Sequence, residues 1–342
     1  MKNSTQLPSF EEYKQKTPKR EGVSVAAVGD SQLPSLSRYA RGNVDVTAIS
    51  PLSDSAGAAI SKGARNKAMA FAHPVDQAII KTLDNASINA IFNKVVQTSI
   101  DANYGIALAT GIHVSQNVYS PIYEIVVECA QSLDIPVPYV IISDSVHGLN
   151  ACTAGTDQFA FIAISSLLPM VLKREELKFV IGHECGHLAL GHVVYHTAMN
   201  MMGMMGGLLP LVGPAITKTI SVPMNAWGRR SEISADRAGL ICCKDVNVAK
   251  RALFRLEAGL LNVDEVDIDE YVRESEAVLD STAIGKYAEI NMTHPLIPKR
   301  IKALDLFARS EVYAKSIGIP AGPHALSAEQ LTRETEKIIE IM

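Results

Sequence analysis

The sequence is short of cysteine, short of aromatic residues and without an excess of positive charge, and each shortage removes a class of protein. Five cysteines stand among 342 residues (Cys129, Cys152, Cys185, Cys242, Cys243), an odd number with no CxxC pair. That spacing fits neither a disulfide framework nor a structural zinc site, and it suits a reducing compartment. Aromatic residues make up 6% and the net charge is −4, which argues against nucleic acid as the main partner. Residues Met1 to Phe10 hold no apolar segment of the kind that opens a signal peptide or a membrane anchor, so the cytoplasm is the expected location. Acidic residues are missing altogether between Cys185 and Ser231.

What is present describes a globular chain. Hydrophobic residues make up 47% and charged residues 20%, and the length is enough to bury a substantial core. Residues 1–70 differ from the rest, with frequent Lys, Ser, Pro and Gly and little apolar periodicity. They read as a partly disordered tail with short extended pieces such as Val23–Val28, or as a pro-segment lying across an active-site cleft. A main domain is expected over 71–315, with a C-terminal extension over 316–342 that ends in a helix.

Apolar spacing through Ala78, Ile79, Leu83, Ile88, Ile91, Phe92, Val95 and Val96 predicts one or two amphipathic helices between Pro74 and Ile100. A further helix is predicted over Pro121–Leu133, stopped by Pro136 and Pro138. The period then changes, and Tyr139–Ser143, Asn150–Ala154 and Phe159–Ser165 read as short strands of a small sheet, antiparallel given the short connections. A long helix is predicted from Lys173 through His196. More helices follow over Arg230–Lys244, Val248–Leu261, Asp267–Leu279 and Pro295–Ala308, and Ser327 with Gln330 forms a capping box for a last one. The fold class is helix-rich α+β, with a small sheet beside the central helix.

That central helix carries His183-Glu184-Cys185-Gly186-His187, an HExxH motif. Four residues of α-helix advance about 400°, so the two imidazoles leave the same face one turn apart and can share one tetrahedral zinc. Glu184 stands beside them, able to touch a zinc-bound water. It lies among Val180, Ile181, Leu188, Ala189 and Leu190 with no positive partner at helical spacing. A buried carboxylate without a partner costs several kcal/mol, so metal chemistry explains it better than a structural role.

A catalytic zinc needs a third protein ligand. His192 lies about 140° from His187 around a continuous helix, and His196 is similarly far off; both read as solvated or partner-bound helix histidines. The metzincin pattern would need Gly and His where the chain has Leu190 and Val193. Glu232 is the first acid after the motif, followed at helical spacing by Asp236. This pair is read as a third metal ligand and a carboxylate that orients a ligand histidine. The alternative is an ordinary exposed helix with both acids in surface ion pairs.

Taken in order, these segments resemble the M48 family of gluzincin metallopeptidases, over about residues 75 to 310. Asn150-Ala151-Cys152-Thr153-Ala154-Gly155 is similar to the family's NAFATG-type edge strand, and Glu175-Glu176-Leu177 precedes the active helix. His183–His187 runs on into Gly191-His192. Trp227-Gly228-Arg229-Arg230-Ser231-Glu232 leads into Ser234–Gly239, and Thr293-His294-Pro295 with Arg300 matches the late HP segment. Cys152 and Cys185 stand where the family more often has an aromatic and an aliphatic residue. The several membrane helices of some members are absent.

The resemblance implies one zinc ion per chain, a protein or peptide substrate, and Glu184 as general base. It implies that His294 stabilises the transition state or, in a latent form, covers the zinc; the bland alternative is a turn histidine before Pro295. It also implies that Asn150, Ala151 and Cys152 bind extended substrate by strand addition. A non-proteolytic chaperone or adaptor on the same fold is the competing function, against which the intact Glu184 argues. The nearly uncharged run 198–216 is long enough to span a membrane, but Asn200, Pro210, Pro214 and four glycines interrupt it. A buried or surface-docked helical hairpin is the expected form, with peripheral membrane association as the alternative.

Overall fold

Strands form where β-branched and aromatic residues run together, and one such pair forms the centre of the sheet. In the computed structural model, which describes residues 62–83, 109–155, 160–197, 214–281, 292 and 294–339, β1 (Ile112–His113), β2 (Tyr139–Ser143), β3 (Ala151–Gly155) and β4 (Ala160–Ser165) form a four-stranded sheet in the order β1-β2-β4-β3. All of these residues lie in one compact unit, Val46–Met342. The short connections predict antiparallel pairing throughout, but the sheet is mixed. β1 pairs antiparallel with β2 and β3 with β4, whereas β2 and β4 run parallel, with Tyr139 opposite Phe161 and Ser143 opposite Ser165. The chain leaving β2 does not fold back beside it. It passes to the far edge to form β3, and β4 then fills the slot between.

Side chains alternate across a strand. Val140, Ile142, Ile162 and Ile164 therefore face the main core, while Ile141, Phe161 and Ala163 form a second cluster on the opposite face. Both faces are covered, which is why these strands read as continuous apolar runs.

Against the main-core face lies α5 (Arg174–Leu190), preceded in the chain by α1 (Lys62–Ala68), α2 (Pro74–Leu83), α3 (Ser120–Leu133) and the single turn α4 (Leu168–Val171). Glu176 accepts a hydrogen bond at 2.9 Å from the Lys173 backbone N–H, satisfying one free donor at the start of α5. Gly191 ends α5 in the left-handed conformation at φ 75°, and the His192 N–H then turns back to the His187 carbonyl at 3.0 Å. The helix predicted through His196 thus breaks at Gly191 and resumes at Val193. Glycine tolerates the reversal because it has no Cβ to clash.

The long helix α6 (Pro214–Cys243) crosses α5 closely. A Cβ built on Gly182 would meet the Cys242 side chain at 2.7 Å, one on Gly186 would meet the Ala238 Cβ at 2.6 Å, and one on Gly239 would meet the Phe179 ring at 2.8 Å. These distances leave no room for a methyl group. Beyond α6 come α7 (Val246–Ala258), α8 (Ile268–Ser281), α9 (Ile297–Ala308), α10 (Glu311–Ser316) and α11 (Ala328–Ile339). The capping box expected for the last of these is present: the Gln330 side chain accepts from the Ser327 N–H at 2.9 Å, and the Ser327 hydroxyl accepts from the Gln330 N–H at 3.2 Å.

Helix α1 falls within the stretch read as a tail, yet Ala64 and Ala68, one turn apart, are buried in the main core. Residues 1–61, the second half of the predicted 74–100 helical region and residues 198–213 of the apolar run lie outside the described residues. Among the described residues, no helix is long and apolar enough to cross a membrane.

Gly186→Ala tests the helix crossing. Alanine favours an isolated helix by about 1 kcal/mol, but overpacking should outweigh that gain and destabilise the protein by about 1–3 kcal/mol in urea unfolding. Unchanged or increased stability would show that the two helices can separate freely.

Candidate metal centre

The crossing of α5 and α6 brings together three donors that the sequence places far apart. His183 Nε2 and His187 Nε2 lie 3.1 Å from each other, and each is 3.4 Å from a carboxylate oxygen of Glu232. All three residues are buried, and their ligand atoms fall within 4.8 Å of one another, close enough to hold a single metal ion. Two nitrogens and one oxygen form a donor set suited to zinc.

The ring nitrogens turned away from this point are also engaged. His183 Nδ1 meets Asp236 Oδ1 at 3.0 Å, and His187 Nδ1 meets His192 Nδ1 at 3.0 Å. Asp236 is ionised and accepts, so His183 carries its Nδ1 proton and presents Nε2 toward Glu232. Asp236 is held in turn by Arg300, whose Nε and Nη2 reach its two oxygens at 2.8 and 2.7 Å, while Nη1 reaches Glu257 at 2.7 Å. Arg300 Nη2 also lies 3.4 Å from Glu232. The ExxxD pair is thus buried, with Glu232 beside the two histidines and Asp236 behind His183, not on an exposed face.

Electrostatics agree with a place built for positive charge. Burial would lower the pKa of His183, but hydrogen bonds to Asp236 and Glu232 and their charges override it and push it up to about 10. Burial would raise Glu232, but the facing His294, His183 and His187 hold it well below the usual carboxylate range. Burial likewise works against ionised Asp236, and Arg300 reverses it. Burial lowers His187, which favours the neutral ring that a metal needs. Two histidine nitrogens and a carboxylate converging with their outer atoms satisfied fit a zinc ion well.

Glu184 does have a partner, one that helical spacing does not reveal. The Thr153 hydroxyl of β3 lies 2.6 Å from Glu184 Oε2 and 3.2 Å from its backbone oxygen. Alternation along β3 explains this, since Ala151 and Thr153 face α5 while Cys152 and Ala154 belong to the cluster on the opposite side. That alternation is readable in the sequence once Ala151 is set toward the helix.

Glu184, His183 and Glu232 line a cleft of about 730 Å³ together with Asn150, Ala151, His294 and Arg300. Cys152 is not among its walls. Burial and the nearby Glu184 push the Cys152 thiol up to about 12, the behaviour of an inert packed sulfur. His294 is half exposed, with Nε2 3.5 Å from Glu232 Oε1. β3 forms one edge of the sheet beside this cleft.

His192 and His196 are engaged with partners, the second of the two roles their positions in the sequence allow. His192 is fully buried, and its Nε2 lies 3.0 Å from Asp76; His196 Nε2 lies 2.7 Å from the Ser231 hydroxyl. With His187 they form a second group whose nitrogens lie within 4.8 Å, but these hydrogen bonds already commit the His192 nitrogens and His196 Nε2.

A helix-borne histidine pair joined by a glutamate from the next helix, beside an edge strand, defines a zincin-like α+β domain. The family model of peptidase family M48 matches residues 116–308. A plastoglobule-localized metallopeptidase 48 of Arabidopsis thaliana is 27% identical over 213 residues, which is 60% of this chain and 62% of that protein. A protease HtpX homolog of Thermodesulfovibrio yellowstonii is 25% identical over 226 residues, covering 57% of this chain and 78% of the homolog. Another HtpX homolog, from Streptococcus pneumoniae, is 26% identical over 229 residues, covering 56% and 75%. The chain belongs to peptidase family M48, a family of metallopeptidases.

Arg300→Leu should be severe. It strands the buried acids Asp236 and Glu232, and loss of one partner of a buried ion pair costs about 3–5 kcal/mol. Urea unfolding reads this directly; a loss below about 1 kcal/mol would contradict the role given to the guanidinium.

Proposed function

We propose that this chain is a zinc-dependent peptidase of the gluzincin type. In this reading His183, His187 and Glu232 hold one zinc ion, and Glu184 is the general base. The observation that carries the reading is the convergence of three buried donor atoms, of which His183 and Glu232 line the cleft together with Glu184. A bound zinc ion supplies Lewis acidity and lowers the pKa of water toward about 7.

The protein's own groups do the rest. The Glu184 carboxylate takes the proton of the attacking water and returns it to the leaving nitrogen. The Thr153 hydroxyl holds one carboxylate oxygen of Glu184, which lines the cleft. His294, half exposed with Nε2 3.5 Å from Glu232 Oε1, donates in this reading to the oxygen that gains charge as the peptide carbonyl is attacked. The edge strand β3 offers main-chain hydrogen bonds to an extended substrate, with the Asn150 amide and Ala151 at its cleft end, and Cys152 contributing through its backbone. Protein or peptide substrates follow from the family. The chain spans about 62% of the length of its Arabidopsis relative.

Glu184→Gln should keep zinc and lose hydrolysis of a casein-like substrate by at least about 100-fold. Glu232→Ala should release zinc, measured by metal content after dialysis against a weak chelator. Wild-type cleavage by the first variant, or wild-type zinc retention by the second, would overturn the assignment. His294→Ala should keep the metal and lower kcat by roughly 100-fold. A gain in activity would instead make His294 an inhibitory cover.

A further inference from the structure

The donor set leaves one requirement that His183, Glu232 and Asp236 do not meet. His187 can offer Nε2 to a metal only if its proton sits on Nδ1, and Nδ1 faces another histidine rather than a carboxylate. Two neutral imidazoles meeting nitrogen to nitrogen have two arrangements of nearly equal energy, and one of them puts the His187 proton where the metal belongs. Something must select the other.

We propose that Asp76 is the positioning residue that makes this selection, acting on His187 through His192. Asp76 lies in the first turn of α2, and both it and His192 are fully buried. Its Oδ1 accepts from the Trp227 indole N–H at 2.9 Å, and its Oδ2 faces His192 Nε2 at 3.0 Å. An ionised carboxylate can only accept, so a neutral His192 holds its proton on Nε2 and a lone pair on Nδ1. That lone pair, 3.0 Å from His187 Nδ1, requires a proton there, and His187 Nε2 is left free toward His183 and Glu232. Asp76 thus accepts from both sides, from the Trp227 indole and from His192, and the donor-to-acceptor direction runs from His187 through His192 to the carboxylate. The left-handed Gly191 makes it possible by returning His192 beneath His187.

The inference rests on His187 being a metal ligand. It goes beyond that reading because Asp76 stands outside residues 116–308, the part of the chain that the family model matches. A segment preceding the peptidase core would then take part in setting the state of a ligand inside it.

Asp76→Asn provides a directional test. The indole can only donate, so the amide must turn its oxygen to Trp227 and its NH2 to His192. Both histidine protons then change nitrogen, to His192 Nδ1 and His187 Nε2. Zinc affinity, measured by competition with a chromophoric chelator, should fall by about 10- to 100-fold. Adding Trp227→Phe frees the amide to rotate and should recover part of the affinity, whereas simple loss of packing would make the double variant worse than Asp76→Asn alone. Circular dichroism establishes that each variant is folded. Should neither fold, 15N-histidine NMR of the wild-type protein reads the same question: His192 should carry its proton on Nε2.

A proton on His192 Nδ1, or zinc affinity in Asp76→Asn equal to wild type, would overturn the proposal while leaving the metal site intact. A wild-type protein that binds no zinc would instead overturn the metal reading itself.

Discussion

Everything at the candidate site depends on how closely two helices can approach. Gly182 and Gly186 on α5 meet Cys242, Ala235 and Ala238 on α6, and Gly239 on α6 receives the Phe179 ring. With side chains at these positions the helices would stand further apart. Glu232 would then lie out of reach of the two histidines. The motif helix supplies two donors and the crossing supplies the third, so packing of glycine against alanine and cysteine decides whether the three donors meet at all.

The second constraint is electrostatic. Two histidines, three acids and an arginine share a buried volume where an unpaired charge would cost several kcal/mol. Each charge is matched: Arg300 spans Asp236 and Glu257 and lies near Glu232, Asp236 takes the outer nitrogen of His183, and the Thr153 hydroxyl meets Glu184. On the other side, His187 leans on His192, Asp76 and Trp227. The outer atoms are satisfied by protein, while the inner atoms of His183, His187 and Glu232 converge. That division is what membership of a metallopeptidase family would lead one to expect, here visible as hydrogen-bond geometry.

Much of this is legible in the amino-acid sequence. The strands Tyr139–Ser143, Asn150–Ala154 and Phe159–Ser165 differ from the observed ones by a residue at most, because β-branched runs between turn residues leave little choice. The helix that begins at Ser120 and ends at the left-handed Asp134 is equally plain. Glu232 stands out because no acid intervenes after the motif. Strand direction is not legible, since a seven-residue connection can close a hairpin or pass to the far edge of a sheet. Nor is the end of α5. Gly191 among apolar residues is compatible with a continuing helix, and only its φ of 75° reveals the reversal.

The sequence by itself determined the chemistry on offer: two imidazoles one turn apart, a carboxylate between them, an acid pair on a later helix and a short strand before them. Local periodicity encodes these because each belongs to a single element. Tertiary structure decided which of the offers are joined. Thr153 reaches Glu184 across the strand–helix interface, and Asp76 reaches His187 through a histidine that helical geometry had pointed elsewhere. Such contacts link residues 31 and 116 positions apart. They depend on how elements cross, and no repeat within one element carries that information.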